Sequence, residues 1–181
     1  TITINAAGGD LAGHLSATDP HPQYLTSTEG SSLYDALGAA SGAQTAANLV
    51  KPDVFIAVDC SPCADSFGGD EISGKIGEGF LLRFYDPSAI MHQGMKKFIL
   101  EEAEKNNIKF QYYKSMGGTD AARVQLAQNG VLVATIGMPA RYIHSTTSMI
   151  SSDDYKEVKK IVYKILKMFN NETVKEIKSK V

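Results

Sequence analysis

The feature that most constrains the fold is an alternation, from residue 42 onward, of short apolar runs with longer stretches of helical period. The apolar runs are bounded by glycine, proline or polar residues, which predicts strands. Between them, apolar residues recur every three or four positions, as on one face of a helix. Strands joined through helices predict an α/β fold, with a mainly parallel sheet and helices on both faces. The predicted strands are 54–58, 80–85, 109–114 and 131–136, and the predicted helices are 88–106, 120–128, 153–170 and 173–179.

Charge divides the chain near Ser41–Gly42. Residues 1–41 contain four acidic side chains and no Lys or Arg, so all 18 basic residues lie in 42–181. The first segment also has too few large apolar side chains to offset the entropy of ordering it alone. Its prolines, Pro20 and Pro22, favour an extended element, and its last residues predict a short helix over 33–40. We therefore predict a small irregular N-terminal segment over 1–41, fused to an α/β body over 42–181.

Composition excludes several classes of function. The formal net charge of −2 provides no electrostatic basis for binding nucleic acid or an anionic membrane surface. No run approaches the roughly 18 consecutive apolar residues that a membrane-spanning helix needs. The first ten residues lack the basic and apolar regions of a secretory signal, so we expect a cytoplasmic protein.

Three loops at the ends of predicted strands contain residues suited to chemistry. Asp59 ends an apolar strand, where an ionised carboxylate is costly unless it is paired or bound to a metal. His144 follows the last strand, and Gly117–Asp120 follows the third. In parallel sheets such loops lie together at the carboxyl ends of the strands, so we expect all three to lie close to one another. Carboxylate and imidazole are ordinary ligands of zinc or cobalt, although a lone Asp at a strand end is more often a cap or a salt-bridge partner.

Five segments between residues 42 and 145 stand in a recognisable order. They are Gly-Ala-Gln-Thr-Ala-Ala-Asn (42–48), Phe-Ile-Ala-Val-Asp-Cys-Ser-Pro (55–62), Leu-Leu-Arg-Phe-Tyr-Asp-Pro-Ser (81–88), Gly-Gly-Thr-Asp-Ala (117–121) and Ala-Arg-Tyr-Ile-His-Ser (140–145). Together they resemble the tetrahedral-assembly (TET) metallo-aminopeptidases, a family with glutamyl and deblocking aminopeptidases and endoglucanase-like proteins.

The resemblance implies two co-catalytic metals, zinc or cobalt, that share an activated water and anchor a peptide substrate. It assigns Asp59 as a ligand of one metal and His144 as a ligand of the other. It also places Gly117, Gly118, Thr119 and Asp120 beside the substrate.

The chain departs from that family at the upstream part of the site. The family's Glu-Glu pair, which provides the general base and a metal ligand, would fall near Ala36 and Leu37, and neither side chain can do this chemistry. The early His-x-Asp segment and the bridging Asp have no recognisable counterpart. Two of five expected ligands remain, so we predict that this chain alone is not an active peptidase and does not hold a metal pair.

An alternative interpretation is that the chain is a chimeric protein with a structural or self-assembling role. Gly-Asp-Leu-Ala-Gly-His-Leu (9–15) and Asp-Pro-His-Pro-Gln-Tyr-Leu-Thr (19–26) resemble bacteriophage tail-fibre proteins, which form trimeric shafts. His14 and His21 lack the His-x-His spacing of the paired histidines with which fibres sometimes bind iron, which favours ordinary surface histidines. A truncated enzyme body would also leave a sheet edge uncovered, so we expect the chain to self-associate or the first segment to pack there.

A third interpretation concerns Cys60-Ser61-Pro62-Cys63. A Cys-x-Pro-Cys segment after a strand is typical of thioredoxin-like redox sites, where the first thiol lies at a helix N-terminus. The residues that follow, Ala-Asp-Ser-Phe-Gly-Gly-Asp, predict a loop instead of a helix. The sequence therefore favours a buried Cys60 beside the candidate site over thiol redox chemistry.

Overall fold

The computed structural model describes residues 39–63, 65 and 74–180; the tail-fibre-like segments and most of the predicted helix over 33–40 lie outside them. Helices and strands alternate along this part of the chain, as predicted. The helices are α1 (Ala39–Val50), α2 (Gln93–Lys105), α3 (Asp120–Gln125), α4 (Ser152–Met168) and α5 (Asn171–Ser179). The strands are β1 (Val54–Pro62), β2 (Phe80–Asp86), β3 (Ala89–Ile90), β4 (Phe110–Lys114), β5 (Leu132–Arg141) and β6 (Met149–Ile150).

The sheet is mixed, with the order β1-β5-β2-β3, and β4 and β6 pair with β2 and β5. The two longest ladders are parallel: β1 pairs with β5 along its whole length, and β2 pairs with β4. A short antiparallel ladder joins β5 to β2 at the centre. The α/β class is thus confirmed. The strands are parallel within each of the pairs β1/β5 and β2/β4, but the two pairs run in opposite directions.

This reversal corrects the expectation that the three loops gather at one end of the strands. Strands β1 and β5 both have their carboxyl ends on the side where Asp59 and the chain leading to His144 lie. Strands β2 and β4 have their carboxyl ends on the opposite side, so Gly117–Asp120 starts there. Apolar runs predict that a segment is a strand but do not specify its direction, which depends on pairing between residues far apart in sequence.

Helices cover both faces of the sheet, as predicted. Alternate side chains of β5 point to opposite faces, because the side-chain period of a strand is two residues. Leu132, Ala134 and Ile136 pack in a large cluster with residues of α2, α4 and α5. Val133 packs on the other face, in a smaller cluster with residues of α1 and α3. The sheet is therefore the middle layer of a three-layer body.

Several element boundaries differ from the predicted ones, and two of the differences have local reasons. The helix predicted over 88–106 begins at Gln93, because Ala89–Ile90 pair with the end of β2. Helix α1 overlaps the helix predicted over 33–40 only at residues 39–40, and it continues across the proposed joint at Ser41–Gly42. Its alanine-rich sequence has few large apolar side chains to mark a period, although alanine has the highest helix propensity. No helix in the described part of the chain is long and apolar enough to cross a membrane.

The N-terminus of α4 is held in place by two side-chain hydrogen-bond acceptors, Ser151 and Asp154. Ser151 caps the helix and accepts hydrogen bonds from the backbone N–H groups of Asp153 and Asp154. The Asp154 side chain is buried and accepts the N–H groups of Gly77 and Gly79 at 2.7 and 2.8 Å. These bonds satisfy the buried carboxylate and attach the segment before β2 to α4.

Candidate metal-ligand edge and substrate loop

Asp59 lies near the carboxyl end of β1 and is exposed. Its register partner is Gly137 of β5. Phe55 and Ala57 pack in the α1/α3 cluster, so the alternation along β1 places Asp59 on that same face. The carboxylate is therefore directed to solvent at the rim of the sheet, accessible to a cation.

His144 lies in the turn after β5, three residues beyond Arg141, and is also exposed. Because β1 and β5 run parallel, this turn leaves the sheet at the edge where β1 ends. The turn is tight: Tyr142 and His144 both have a φ of 60°, a left-handed conformation that side chains other than glycine seldom adopt. Ser145 Oγ lies 2.6 Å from the carbonyl oxygens of Tyr142 and Thr147, which supports the turn.

The loop Gly117–Asp120 returns from the opposite edge across the α1/α3 face. The Arg83 guanidinium donates a hydrogen bond to the carbonyl oxygen of Gly117, and Ser115 Oγ donates to the same oxygen at 2.8 Å. Thr119 Oγ1 lies 3.3 Å from Thr135 Oγ1. Thr135 is paired with Ala57, two residues before Asp59, so the loop reaches the same face as Asp59 although it starts at the other edge.

Comparison with known proteins agrees with this geometry. A family model described as M42 glutamyl aminopeptidase matches residues 36–161. The chain belongs to the M42 glutamyl aminopeptidase family. The match includes the candidate ligand Asp59, the candidate substrate loop and the turn with His144, and it begins before the predicted joint at Ser41–Gly42.

Individual relatives of the M42 family support the same assignment. The glutamyl aminopeptidase of Lactococcus lactis subsp. cremoris (strain MG1363) is 45% identical over 138 residues, which is 76% of this chain and 38% of that protein. The crystal structure of a TET aminopeptidase from a marine sediment Thaumarchaeota archaeon superposes with a TM-score of 0.74 at 33% identity, over 77% of this chain and 40% of the other. The TET1 peptidase of Pyrococcus horikoshii, described as assembling into a tetrahedron or a large octahedral shell, gives a TM-score of 0.58 at 30% identity, over 72% and 37%. The chain thus spans well under half the length of these relatives.

The metal site implied by the M42 family does not fit the residues that the structure describes. Within 39–63, 65 and 74–180, no group of three or more His, Cys, Asp or Glu side chains is arranged to hold a metal ion. Asp59 and His144 lie at the same edge, and neither has a third ligand beside it. A zinc or cobalt ion needs at least three protein ligands to stay bound in a catalytic site, and a metal pair needs more.

A partly exposed ion pair connects the two segments of this M42 chain that contain the candidate ligands. Arg141, at the end of β5, donates from Nε and Nη2 to the two oxygens of Asp65, at 2.9 and 2.7 Å. The hydrogen bond with Asp65 is the main reason why the pKa of Arg141 is raised. Asp65 also accepts the N–H group of Ile76 at 3.2 Å. This bidentate pair fixes the chain after β1 against the end of β5.

Buried polar side chains behind Asp59 were not found by sequence reasoning. Ser61, Arg83, Tyr113 and Thr135 are all buried on the α1/α3 face. The Tyr113 hydroxyl donates to the carbonyl oxygen of Pro62 at 2.9 Å, and burial raises the pKa of Tyr113 despite the opposing effect of Arg83. The one sequence signal was a charged residue inside an apolar strand, at Arg83.

The thiol redox interpretation is not supported by the surroundings of the two cysteines. Cys60 lies within β1 and Cys63 directly after it, so neither thiol is at a helix N-terminus. Burial, and then the charge of Asp65, raise the pKa of Cys63 to about 11. Burial, and then the charge of Asp59, also raise the pKa of Cys60. Both shifts favour the neutral thiol, whereas redox catalysis requires a thiolate.

Proposed function

We infer that this chain is the C-terminal part of a two-metal aminopeptidase catalytic domain, and that it does not hydrolyse peptides by itself. In this proposal Asp59 and His144 each contribute one ligand to a zinc or cobalt site. Gly117, Gly118, Thr119 and Asp120 border the position of the N-terminal residue of a peptide. The body over 42–181 carries these elements, and the segment over 1–41 is a fused addition.

The observation that carries this proposal is an incomplete set of metal ligands near the carboxyl ends of the parallel strands β1 and β5. Asp59 lies three residues before the end of β1, His144 lies three residues beyond the end of the parallel strand β5, and both side chains are exposed. The described residues around them contain no third ligand. The matched region includes Ala36 and Leu37, the two positions where the family's Glu-Glu pair is expected. Without a general base and a stable metal pair, the activated water that peptide hydrolysis needs is not generated.

Hydrolysis of aminoacyl p-nitroanilides tests the loss of activity. The full chain is incubated with the leucyl and glutamyl substrates and with cobalt or zinc, beside the Lactococcus lactis glutamyl aminopeptidase as a positive control. We expect no release of nitroaniline above the rate with metal alone. Robust turnover that is abolished by Asp59→Asn would show that a complete site exists and would refute the proposal.

Zinc titration followed by NMR tests the ligand assignment separately. Two exposed ligands bind zinc only weakly, so we expect shifts of the Asp59 and His144 amides that do not saturate at one equivalent. His92, which caps α2 with its Nδ1 atom, is an internal control that zinc should leave unchanged. If His92 and His144 respond equally, zinc binds histidine without a site and the ligand roles are wrong.

A second candidate function is self-association through the open edge of the sheet. In the described part of the chain, β1 pairs with β5 and has no strand on its other side. Val58 is 51% exposed there, and Leu49 and Val50, just before β1, are 78% and 75% exposed. An unpaired strand with apolar neighbours is a template for pairing between chains. The solved relatives include proteins described as a dodecamer and as a tetrahedral or octahedral shell.

Light scattering after size-exclusion chromatography tests this second candidate. We expect a dimer or larger species in the wild type, and a monomer in Val58→Lys, because a lysine on an exposed edge strand opposes pairing. Leu126→Lys is a matched control, since Leu126 is also exposed but lies away from β1. A monomeric wild type, or equal effects of the two variants, would exclude association through β1.

A further inference from the structure

A cleft near the ends of β2 and β4 has no role in the proposed function. It lies between the β2–β3 hairpin and the first turn of α2 and has a volume of about 320 Å³. Phe84, Ile90 and Met91 form an apolar wall, and Lys96 and Lys114 provide the charged lining. We call this feature the hairpin cleft. Its volume is at the lower end of the range for small-molecule sites.

The charge of the hairpin cleft is positive and is not neutralised nearby. None of the described residues that line it is acidic, and no carboxylate in the described part of the chain forms an ion pair with Lys96 or Lys114. The first turn of α2 also contains no acidic residue. Its helix dipole therefore adds to the positive potential at Gln93, which lines the cleft.

The two lysines are held at the cleft by different elements. Lys96 is half-buried on α2, and Lys114 ends β4, where its ammonium group lies 5.7 Å from the centre of the Tyr85 ring. Tyr85 is the register partner of both Lys114 and Ile90, so Tyr85 lies between the lysine on β4 and an apolar side chain of the cleft on β3. The cleft thus offers a negative group two donors and offers an attached apolar body a hydrophobic surface.

We propose that the hairpin cleft binds a small monocarboxylate with an aromatic or aliphatic body. The carboxylate bonds to Lys96 and Lys114, and the body packs against Phe84, Ile90 and Met91. A second lysine-lined groove, of about 450 Å³, lies along α4, but it is a weaker candidate. All of its lining residues belong to that one helix, and its Lys156 and Lys160 are already paired with Asp153 and Glu157.

The test uses 3-phenylpropionate as the probe and 3-phenylpropionamide as its uncharged isostere. Titrations of the full chain are followed by NMR at low and high salt. We expect shifts of the amides of Ile90, Met91 and Lys96, with the amide probe at least about tenfold weaker, because a hydrogen-bonded ion pair is lost. The combined variant Lys96→Met and Lys114→Met keeps the aliphatic stems and should weaken the carboxylate by about tenfold or more. Lys97→Met is the matched control, since Lys97 is exposed on α2 and pairs with Glu101.

Several outcomes would overturn the proposal. Equal affinity for the acid and the amide would show apolar binding without a carboxylate site. Shifts centred on Tyr163 and its neighbours would place binding in the α4 groove instead. Loss of affinity in Lys97→Met equal to that in the double variant would indicate a general charge effect. The double variant must retain the wild-type spectrum outside the cleft, and a single Lys114→Met variant serves if it does not.

Discussion

The face of the sheet that packs against α2, α4 and α5 is apolar, whereas the face below α1 and α3 combines a small apolar cluster with buried polar groups. On the first face, Met95, Ile99, Ile161 and Ile165 are fully buried against the strands. On the second, Arg83, Thr135 and Ser61 are buried in their place. The first face contributes stability through burial of apolar area. The second instead buries polar groups that contact the candidate loop Gly117–Asp120. The two faces should therefore respond differently to substitution.

Truncation of the apolar face should have the largest effect. Ile161→Ala removes a fully buried side chain from α4 and leaves a cavity, so we expect a loss of about 3–4 kcal/mol in the free energy of unfolding. Tyr155→Ala, at a 51% exposed position of the same helix, should change it by less than about 1 kcal/mol. Denaturant titrations measure both. Equal losses would mean that α4 is not packed as described.

A contact on the polar face should have an intermediate effect. A Cβ atom at Gly137 would lie 2.8 Å from Ser61 Oγ and 3.0 Å from Leu81 Cβ, so Gly137→Ala should cost about 1–3 kcal/mol through overpacking. Ser61→Ala alone should be neutral or stabilising, because its buried hydroxyl has no hydrogen-bond partner in the described residues. The double variant should recover part of the loss. Additive effects would show that Ser61 and Gly137 are not in contact.

The Cys63 thiol should make a smaller, pH-dependent contribution to the free energy of unfolding. Its folded pKa of about 11 lies above the ordinary value of 9.0, so the folded state favours the neutral thiol. This contribution to stability is present below pH 9 and is lost as the pH rises toward 11. Cys63→Ala should therefore flatten the decline of unfolding free energy between pH 9 and pH 11. An unchanged slope would mean that the decline comes from other groups.

The smallest expected effect belongs to the Arg141–Asp65 pair. Arg141→Lys keeps the charge but loses the bidentate geometry, and the partly exposed site limits the cost to about 1 kcal/mol or less. Hydrogen exchange should nevertheless increase in the turn with His144, which follows Arg141. Arg123→Lys, on the exposed side of α3, is the control for a general effect of lysine. Equal exchange in the two variants would show that the pair does not support the turn.

Most of the candidate site could be identified from sequence, but its arrangement could not. Asp59, His144 and Gly117–Asp120 were marked by apolar runs that end in polar residues and by the order of the family's segments. Arg83 and Thr135 were not marked, because an Arg or Thr in a strand has the same local pattern whether it faces solvent or a buried loop. Cys60 and Cys63 match a Cys-x-Pro-Cys redox pattern in sequence, and only the tertiary structure shows that burial raises the pKa of both thiols.

The sequence by itself determined the class of the fold and the family, and it proposed Asp59 and His144 as candidate ligands. Periodicity and residue order carry this information, because they depend on neighbours along the chain. The tertiary structure decided that β2 and β4 run against β1 and β5, so that the candidate loop Gly117–Asp120 crosses the sheet to the face that contains Asp59. It also decided that the described residues place no third ligand beside Asp59 or His144. Strand direction and ligand clustering depend on contacts between distant residues, which no local pattern encodes.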